Sequence, residues 1–121
     1  MIATLTDGGY DLGMTRGDTE TLTVTMTVEE DGQTVPFDAT EAVLTVRTNR
    51  LGPIVFQMPA TSVTDGVAVF DFAPELTASM EAGKYVYDVQ ATTADGVVKT
   101  PLGGLKRPCY YTLWQDVTYA D

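Results

Sequence analysis

The sequence predicts an all-β domain built as an antiparallel sandwich, and three observations carry that prediction. Threonine and valine recur throughout, and both β-branched side chains favour strands. Residues 21–28, Thr21-Leu22-Thr23-Val24-Thr25-Met26-Thr27-Val28, alternate without a fault between polar and apolar. Gly- and Asp-bearing turn signals recur at roughly ten-residue spacing with almost no helical pattern between them.

The elements follow in order. In residues 21–28 the side chains of Leu22, Val24, Met26 and Val28 share one face and four threonines the other, the mark of a strand with one buried face. Glu29-Glu30-Asp31-Gly32 supplies the turn that closes it. Residues 42–48 form a second strand with Leu44 and Val46 inward, broken by residues 49–53. A third covers residues 54–58 with Ile54, Phe56 and Met58 inward, and Thr64-Asp65-Gly66 turns the chain into a fourth over 67–72 with Ala68, Phe70 and Phe72 inward. Residues 74–80 form the one helical turn: proline suits the first helical position, and Leu76 and Met80 lie four apart on one face. The strand over 84–93 turns Tyr85, Tyr87, Val89 and Ala91 to the core, and a tyrosine at the start of such a strand is a recurrent corner feature. Ala94-Asp95-Gly96 is another hairpin turn, and residues 97–100 begin the next strand, interrupted by Pro101 and Gly103-Gly104. Residues 110–119 form the last strand. About seven short strands with one short helical turn make an immunoglobulin-like antiparallel β-sandwich. Residues 1–13 read as an N-terminal arm or edge strand, and 14–121 as the sandwich domain.

Composition narrows the function. A chain of 121 residues buries about two-thirds of its extended surface on folding, enough for one core. Histidine is absent, which removes Ser-His-Asp and Cys-His catalysis and His-ligated zinc. The one cysteine, Cys109, forms no intrachain disulfide and no cysteine-rich metal site. Seven basic against seventeen acidic residues give a net charge of −10, so neither nucleic acid nor an anionic membrane is an expected partner. The first residues carry neither a basic stretch nor an apolar run, so no signal peptide is expected, and no run of about 18 apolar residues suggests a membrane span.

Several motifs invite a chemical reading, and each has a plainer one. Arg16-Gly17-Asp18 spells an integrin-binding tripeptide, but a polar turn before a strand uses the same residues. Glu29-Glu30-Asp31 with Gly32 offers carboxylates to calcium, yet lacks the alternating spacing of a calcium loop and suits a solvated hairpin tip. Asp71 and Asp88, both mid-strand, are the best pair for acid–base work, unless they face solvent or pair with Arg47 or Lys84. Gly103-Gly104 lacks the context of a phosphate loop and reads as a bulge. Cys109 stands near Arg107, which would lower its pKa, but no base or resolving cysteine accompanies it, so an inert thiol is expected. No catalytic, cofactor or metal residue is therefore assigned.

The last strand is the most informative surface. Tyr111, Leu113, Val117 and Tyr119 make an apolar face, while Tyr110 and Trp114 put large aromatics on the other. A strand with one solvated face does not need both. Either the outer face binds something, which makes Tyr110 and Trp114 the candidate assembly interface, or the N-terminal segment with Ile2, Leu5 and Tyr10 covers them within the monomer.

Residues spread over 14–118 resemble a known group of domains. They include Arg16-Gly17-Asp18-Thr19, Ala42-Val43-Leu44-Thr45-Val46-Arg47, Ala82-Gly83-Lys84-Tyr85-Val86-Tyr87-Asp88-Val89-Gln90, Thr100-Pro101-Leu102-Gly103-Gly104 and Asp116-Val117-Thr118. In order and spacing they are similar to the immunoglobulin-like domains of phage tails and baseplates, such as the N-terminal domain of the baseplate upper protein. The resemblance implies a non-enzymatic virion structural protein, a tail, baseplate or neck component assembled in the bacterial cytoplasm. Its expected partners are other virion proteins in a symmetric, multi-copy assembly, with no cofactor. The baseplate protein continues into host-binding parts whereas this chain stops at Asp121, so a stand-alone module is expected here. A capsid decoration protein, and an adhesion or carbohydrate-binding module with aromatics from Tyr85, Tyr87, Tyr110, Tyr111 and Trp114, are the alternatives.

Overall fold

Alternation, not propensity alone, builds the two layers, because each strand with one apolar face must lay it against another. The computed structural model describes residues 2–5, 10–102 and 109–115. Eleven strands and one helical turn appear there: β1 (Ile2–Leu5), β2 (Leu12–Thr15), β3 (Glu20–Glu30), β4 (Gln33–Pro36), β5 (Ala39–Arg47), β6 (Ile54–Pro59), β7 (Ser62–Thr64), β8 (Val67–Phe72), α1 (Pro74–Thr77), β9 (Gly83–Thr93), β10 (Val98–Leu102) and β11 (Cys109–Trp114). A five-stranded sheet has the order β1-β3-β8-β7 with β4 also on β3, and a six-stranded sheet has the order β2-β11-β9-β5-β6 with β10 also on β9. The pairings are antiparallel except for β1 on β3 and β2 on β11, which are parallel. The chain is an immunoglobulin-like β-sandwich.

The expected inward faces meet between the sheets. Leu22, Val24, Met26, Ala68, Phe70 and Phe72 come from one layer and Leu44, Val46, Tyr87, Val89 and Ala91 from the other, all buried. Two of the three Asp-Gly turns read from the sequence close with positive φ at two successive residues, Asp31 at 50° and Gly32 at 78°, then Asp65 at 52° and Gly66 at 78°, whereas at Asp95-Gly96 only the glycine does, at 92°. Two successive positive φ values make the turn whose twist matches a two-residue hairpin, with Glu30 opposite Gln33 and Thr64 opposite Val67. Tyr85 makes the corner: its hydroxyl donates to the Glu81 carbonyl at 2.5 Å, back across the start of β9. In α1, Pro74 occupies the first turn and Leu76 packs on the core, as does Met80 just beyond.

Three expectations need correction. Ile54 is exposed rather than inward, because Val46 faces Phe56 while Arg47 faces Ile54, so one extra residue on β6 breaks the alternation. Pro101 does not interrupt its strand; β10 runs through it to Leu102, with a register shift between Lys99 and Leu102 that accommodates it. The last strand ends at Trp114, and Val117 and Tyr119 lie outside the described residues, as do Gly103, Gly104 and Arg107. Four further strands of three or four residues each, β1, β2, β4 and β7, raise the number beyond seven.

At the centre, Tyr111 is fully buried among Phe56, Phe72 and Tyr85, with ring centroids 6.2 to 6.3 Å away. Its hydroxyl has no hydrogen-bond partner among the described residues. Burial, with Tyr85 alongside, pushes its ionisation far above the usual tyrosine range. An unpaired buried hydroxyl is a cost of about 1–3 kcal/mol. Tyr111→Phe should therefore raise stability by about 1 kcal/mol in urea denaturation. A loss of similar size would mean that the hydroxyl is bonded in solution.

Candidate functional site

The outer face of the six-stranded sheet collects the side chains that β9, β5 and β11 do not send to the core. Inward Tyr111 and Leu113 leave Tyr110, Thr112 and Trp114 facing out from β11. Across the sheet, Tyr110 is opposite Val86, Val86 is opposite Arg47, and Arg47 is opposite Ile54, so one row crosses four strands.

Trp114 is 55% exposed. Its indole lies over Gly13 of β2, close enough that a Cβ there would come within 2.2 Å of the ring. A glycine at that position gives the ring its seat on the edge strand. The Tyr110 ring is half-buried, with the Lys84 ammonium 4.2 Å from its centroid, a cation–π contact. Among the described residues of the N-terminal segment, the Asp11 carboxylate accepts from the Tyr110 amide at 3.0 Å and Gly13 lies beneath Trp114, while β1 and Tyr10 are placed elsewhere. β1 joins β3 in the opposite sheet, and Tyr10 packs on the core side, where its amide donates to the Cys109 sulfur and its carbonyl accepts from the Tyr87 hydroxyl. Burial holds Tyr87 protonated well above its ordinary range. The Cys109 thiol is buried.

Beside the aromatic pair lies an open groove of about 280 Å³ between β9, β5 and β6, lined by Val43, Thr45, Arg47, Gln57, Asp88 and Gln90. Gln57 donates to the Thr45 hydroxyl at 2.9 Å, and Arg47 donates to the Gly52 carbonyl at 2.9 Å. Burial raises the Asp88 carboxyl above the usual range, and Arg47 opposes that rise. Asp71 is far from it in the fold: it faces out from the other sheet and accepts from the Thr21 hydroxyl at 2.9 Å. The two carboxylates expected as a possible pair therefore stand on opposite layers.

The remaining motifs are explained locally. Arg16-Gly17-Asp18 is a turn after β2, in which the Asp18 amide donates to the Thr15 carbonyl and Gly17 takes a φ of 83°. The Gly17 amide donates to the buried Thr77 hydroxyl at 2.9 Å, and Arg16 reaches the Met80 carbonyl. Of the acidic hairpin, Glu29 accepts from the Thr34 hydroxyl at 2.6 Å. No group of three His, Cys, Asp or Glu side chains converges among the described residues. Tyr85, Tyr87 and Tyr111 point into the sandwich, so of the five aromatics considered for a ligand cleft only Tyr110 and Trp114 face out. Gly13 and Lys84, the partners of that pair, were not legible in the sequence: only the parallel addition of β2 to β11 brings Gly13 beneath Trp114.

The class is thus an immunoglobulin-like β-sandwich with an aromatic outer face. No family model matches the chain, and no curated protein does. Among solved structures it is similar to the N-terminal domain of ORF48 of phage TP901-1, with 10% identity, a TM-score of 0.52, and 93% of this chain and 94% of that one covered. It is also similar to the fibronectin(III)-like modules of Clostridium thermocellum CbhA, at 11% identity, a TM-score of 0.47, and coverage of 93% and 95%. A third likeness is to CopC from Methylosinus trichosporium OB3b, at 13% identity, a TM-score of 0.41, and coverage of 71% and 74%. At these identities the likeness concerns the fold alone.

Proposed function

We propose that this chain is a non-enzymatic structural protein of a phage virion, a tail, baseplate or neck component that assembles with other virion proteins through surface contacts. The observation that carries the reading is the outer aromatic pair. Trp114 is seated over a glycine of an edge strand, half exposed, beside a tyrosine already capped by a lysine. Aromatics dominate association when a partner covers them and are unfavourable to leave wet. The fold shared with a phage protein domain supports the same direction. So does a sequence without histidine, in which Asp71 and Asp88 are separated by the thickness of the sandwich.

The double change Tyr110→Ser with Trp114→Ser tests this. Both side chains lie outside the core, so the variant should keep its circular dichroism spectrum and melt within a few degrees of the parent. Particles assembled in its presence should lack it, as read by mass spectrometry of purified virions. Normal incorporation of the folded variant would move the contact elsewhere, and failure to fold would return both residues to the monomer's own architecture.

A further inference from the structure

The groove on the outer face of the six-stranded sheet takes no part in the aromatic contact proposed above. Its centre is a polar row across three strands, with Asp88 of β9 opposite Thr45 of β5, and Thr45 opposite Gln57 of β6. The next row sets Gln90 opposite Val43, and Arg47 stands at the other end. Parity sends these side chains outward, because Leu44, Val46, Tyr87 and Val89 between them fill the core. The outer face of an antiparallel sheet is ordinarily wet. Yet Thr45 is only 7% exposed and Asp88 is half-buried. The row is therefore the floor of a concavity.

That floor holds polar atoms left over by the fold. Among the described residues, the Asp88 carboxylate has no hydrogen-bond donor and the Gln90 amide has no partner. The Thr45 hydroxyl accepts from Gln57 but donates to no described residue. Burial disfavours the Asp88 charge, and the Arg47 guanidinium, tied to the Gly52 carbonyl at 2.9 Å, offsets only part of that. A half-buried carboxylate without a donor keeps its desolvation cost. A hydroxyl brought by a ligand would supply the missing donor. The surrounding groups are already oriented, Gln57 by Thr45 and Arg47 by the β5–β6 turn.

We infer that this groove binds a neutral saccharide, with Asp88 accepting from its hydroxyls and Gln57 and Gln90 bonding to those beside them. Sugar hydroxyls both donate and accept, and the groove offers a carboxylate acceptor, guanidinium donors and two amides that do both. One carboxylate against one guanidinium leaves the lining without net charge, and a chain of net charge −10 repels an anionic ligand. A volume of about 280 Å³ lies just under the roughly 300–1,000 Å³ of pockets that enclose drug-sized ligands, which suits a single sugar ring. Val43 gives the ring's C–H face an apolar patch. A peptide fits less well. Both β5 and β9 have strands on either side, so their backbone groups are already paired and no strand can be added at the groove. The inference goes beyond a structural role and does not depend on it.

Titration of the isotope-labelled full chain with glucose, galactose, mannose, N-acetylglucosamine and their disaccharides, followed by NMR, tests it. At least one of these should shift the Gln57 and Gln90 side-chain amide signals saturably, with a Kd on the order of 1 mM. Asp88→Asn, which keeps the shape and removes the charge, should raise that Kd about tenfold. Gln90→Ala should raise it about fivefold, and because Gln90 is exposed this variant carries the test if Asp88→Asn does not fold. Asp71→Asn, on the opposite layer, should leave it unchanged. Absence of any shift at about 50 mM sugar would overturn the inference, as would an unchanged Kd in the folded Asp88 and Gln90 variants. Tighter binding of glucuronate than of glucose would overturn the neutral class. Shifts of the same amides by trialanine and by no sugar would make the occupant a peptide.

Discussion

Phe72→Ala should cost about 3–5 kcal/mol in a urea unfolding series, the largest loss expected from a single substitution in this chain. Phe72 is the aromatic of the five-stranded sheet that reaches across to the other layer. Its ring centroid is 6.4 Å from that of Phe56 and 6.3 Å from that of Tyr111, both approached edge-on. Truncation removes the transfer energy of a buried ring and leaves a cavity whose lining comes from two sheets, which limits collapse. Edge-to-face pairs add about 0.5–1.5 kcal/mol beyond area burial. Total stabilities of domains are about 5–15 kcal/mol, so the variant should sit near the edge of folding. A cost under about 1.5 kcal/mol would mean that the sheets do not pack through this ring.

Gly66→Ala should cost about 2–4 kcal/mol, and Gly32→Ala about 1–2 kcal/mol, although both glycines have the same backbone angle. Each has φ of 78°, where a side chain brings its Cβ too near the following carbonyl. The surroundings differ. At Gly32 an added Cβ meets nothing within 4 Å, whereas at Gly66 it would lie 2.7 Å from the Met26 carbonyl oxygen and 3.2 Å from the Phe37 amide. That carbonyl accepts from Phe37 at 2.9 Å, and the Met26 amide donates to Gly66 at 2.7 Å. The clash therefore falls on the backbone bonds that hold β3, the β7–β8 turn and the approach to β5 together. Equal costs for the two substitutions in thermal denaturation would count against so close an approach.

The long strands were legible because their alternation is long. β3 and β9 each span 11 residues, enough for polar and apolar sets to separate on sight. The Asp-Gly turns were legible for a chemical reason, since a two-residue hairpin demands positive φ. What escaped was set by pairing rather than by local pattern. A strand of four residues such as β2 shows too little alternation to identify, and the extra residue in β6 that turns Ile54 outward is a matter of register with β5. The outward placing of Tyr110 and Trp114 followed from parity along β11. The glycine beneath Trp114 and the lysine over Tyr110 come from strands distant in sequence, so no local signal pointed to them.

The parallel union of β2 with β11 also sets a timetable for synthesis. Leu12 pairs with Tyr111 and Met14 with Leu113, and the Tyr10 amide bonds to a sulfur 99 positions later. Ribosomes add about 5–20 residues per second. Two core side chains, Leu12 and Met14, therefore wait roughly 5–20 s after emerging before their strand has a neighbour to join. During that interval β3, β8 and the hairpins can close among themselves, but the six-stranded layer lacks an edge. Contacts of such long sequence separation slow folding relative to local ones. The nascent chain thus carries an unsealed apolar seam until nearly the whole domain has left the ribosome.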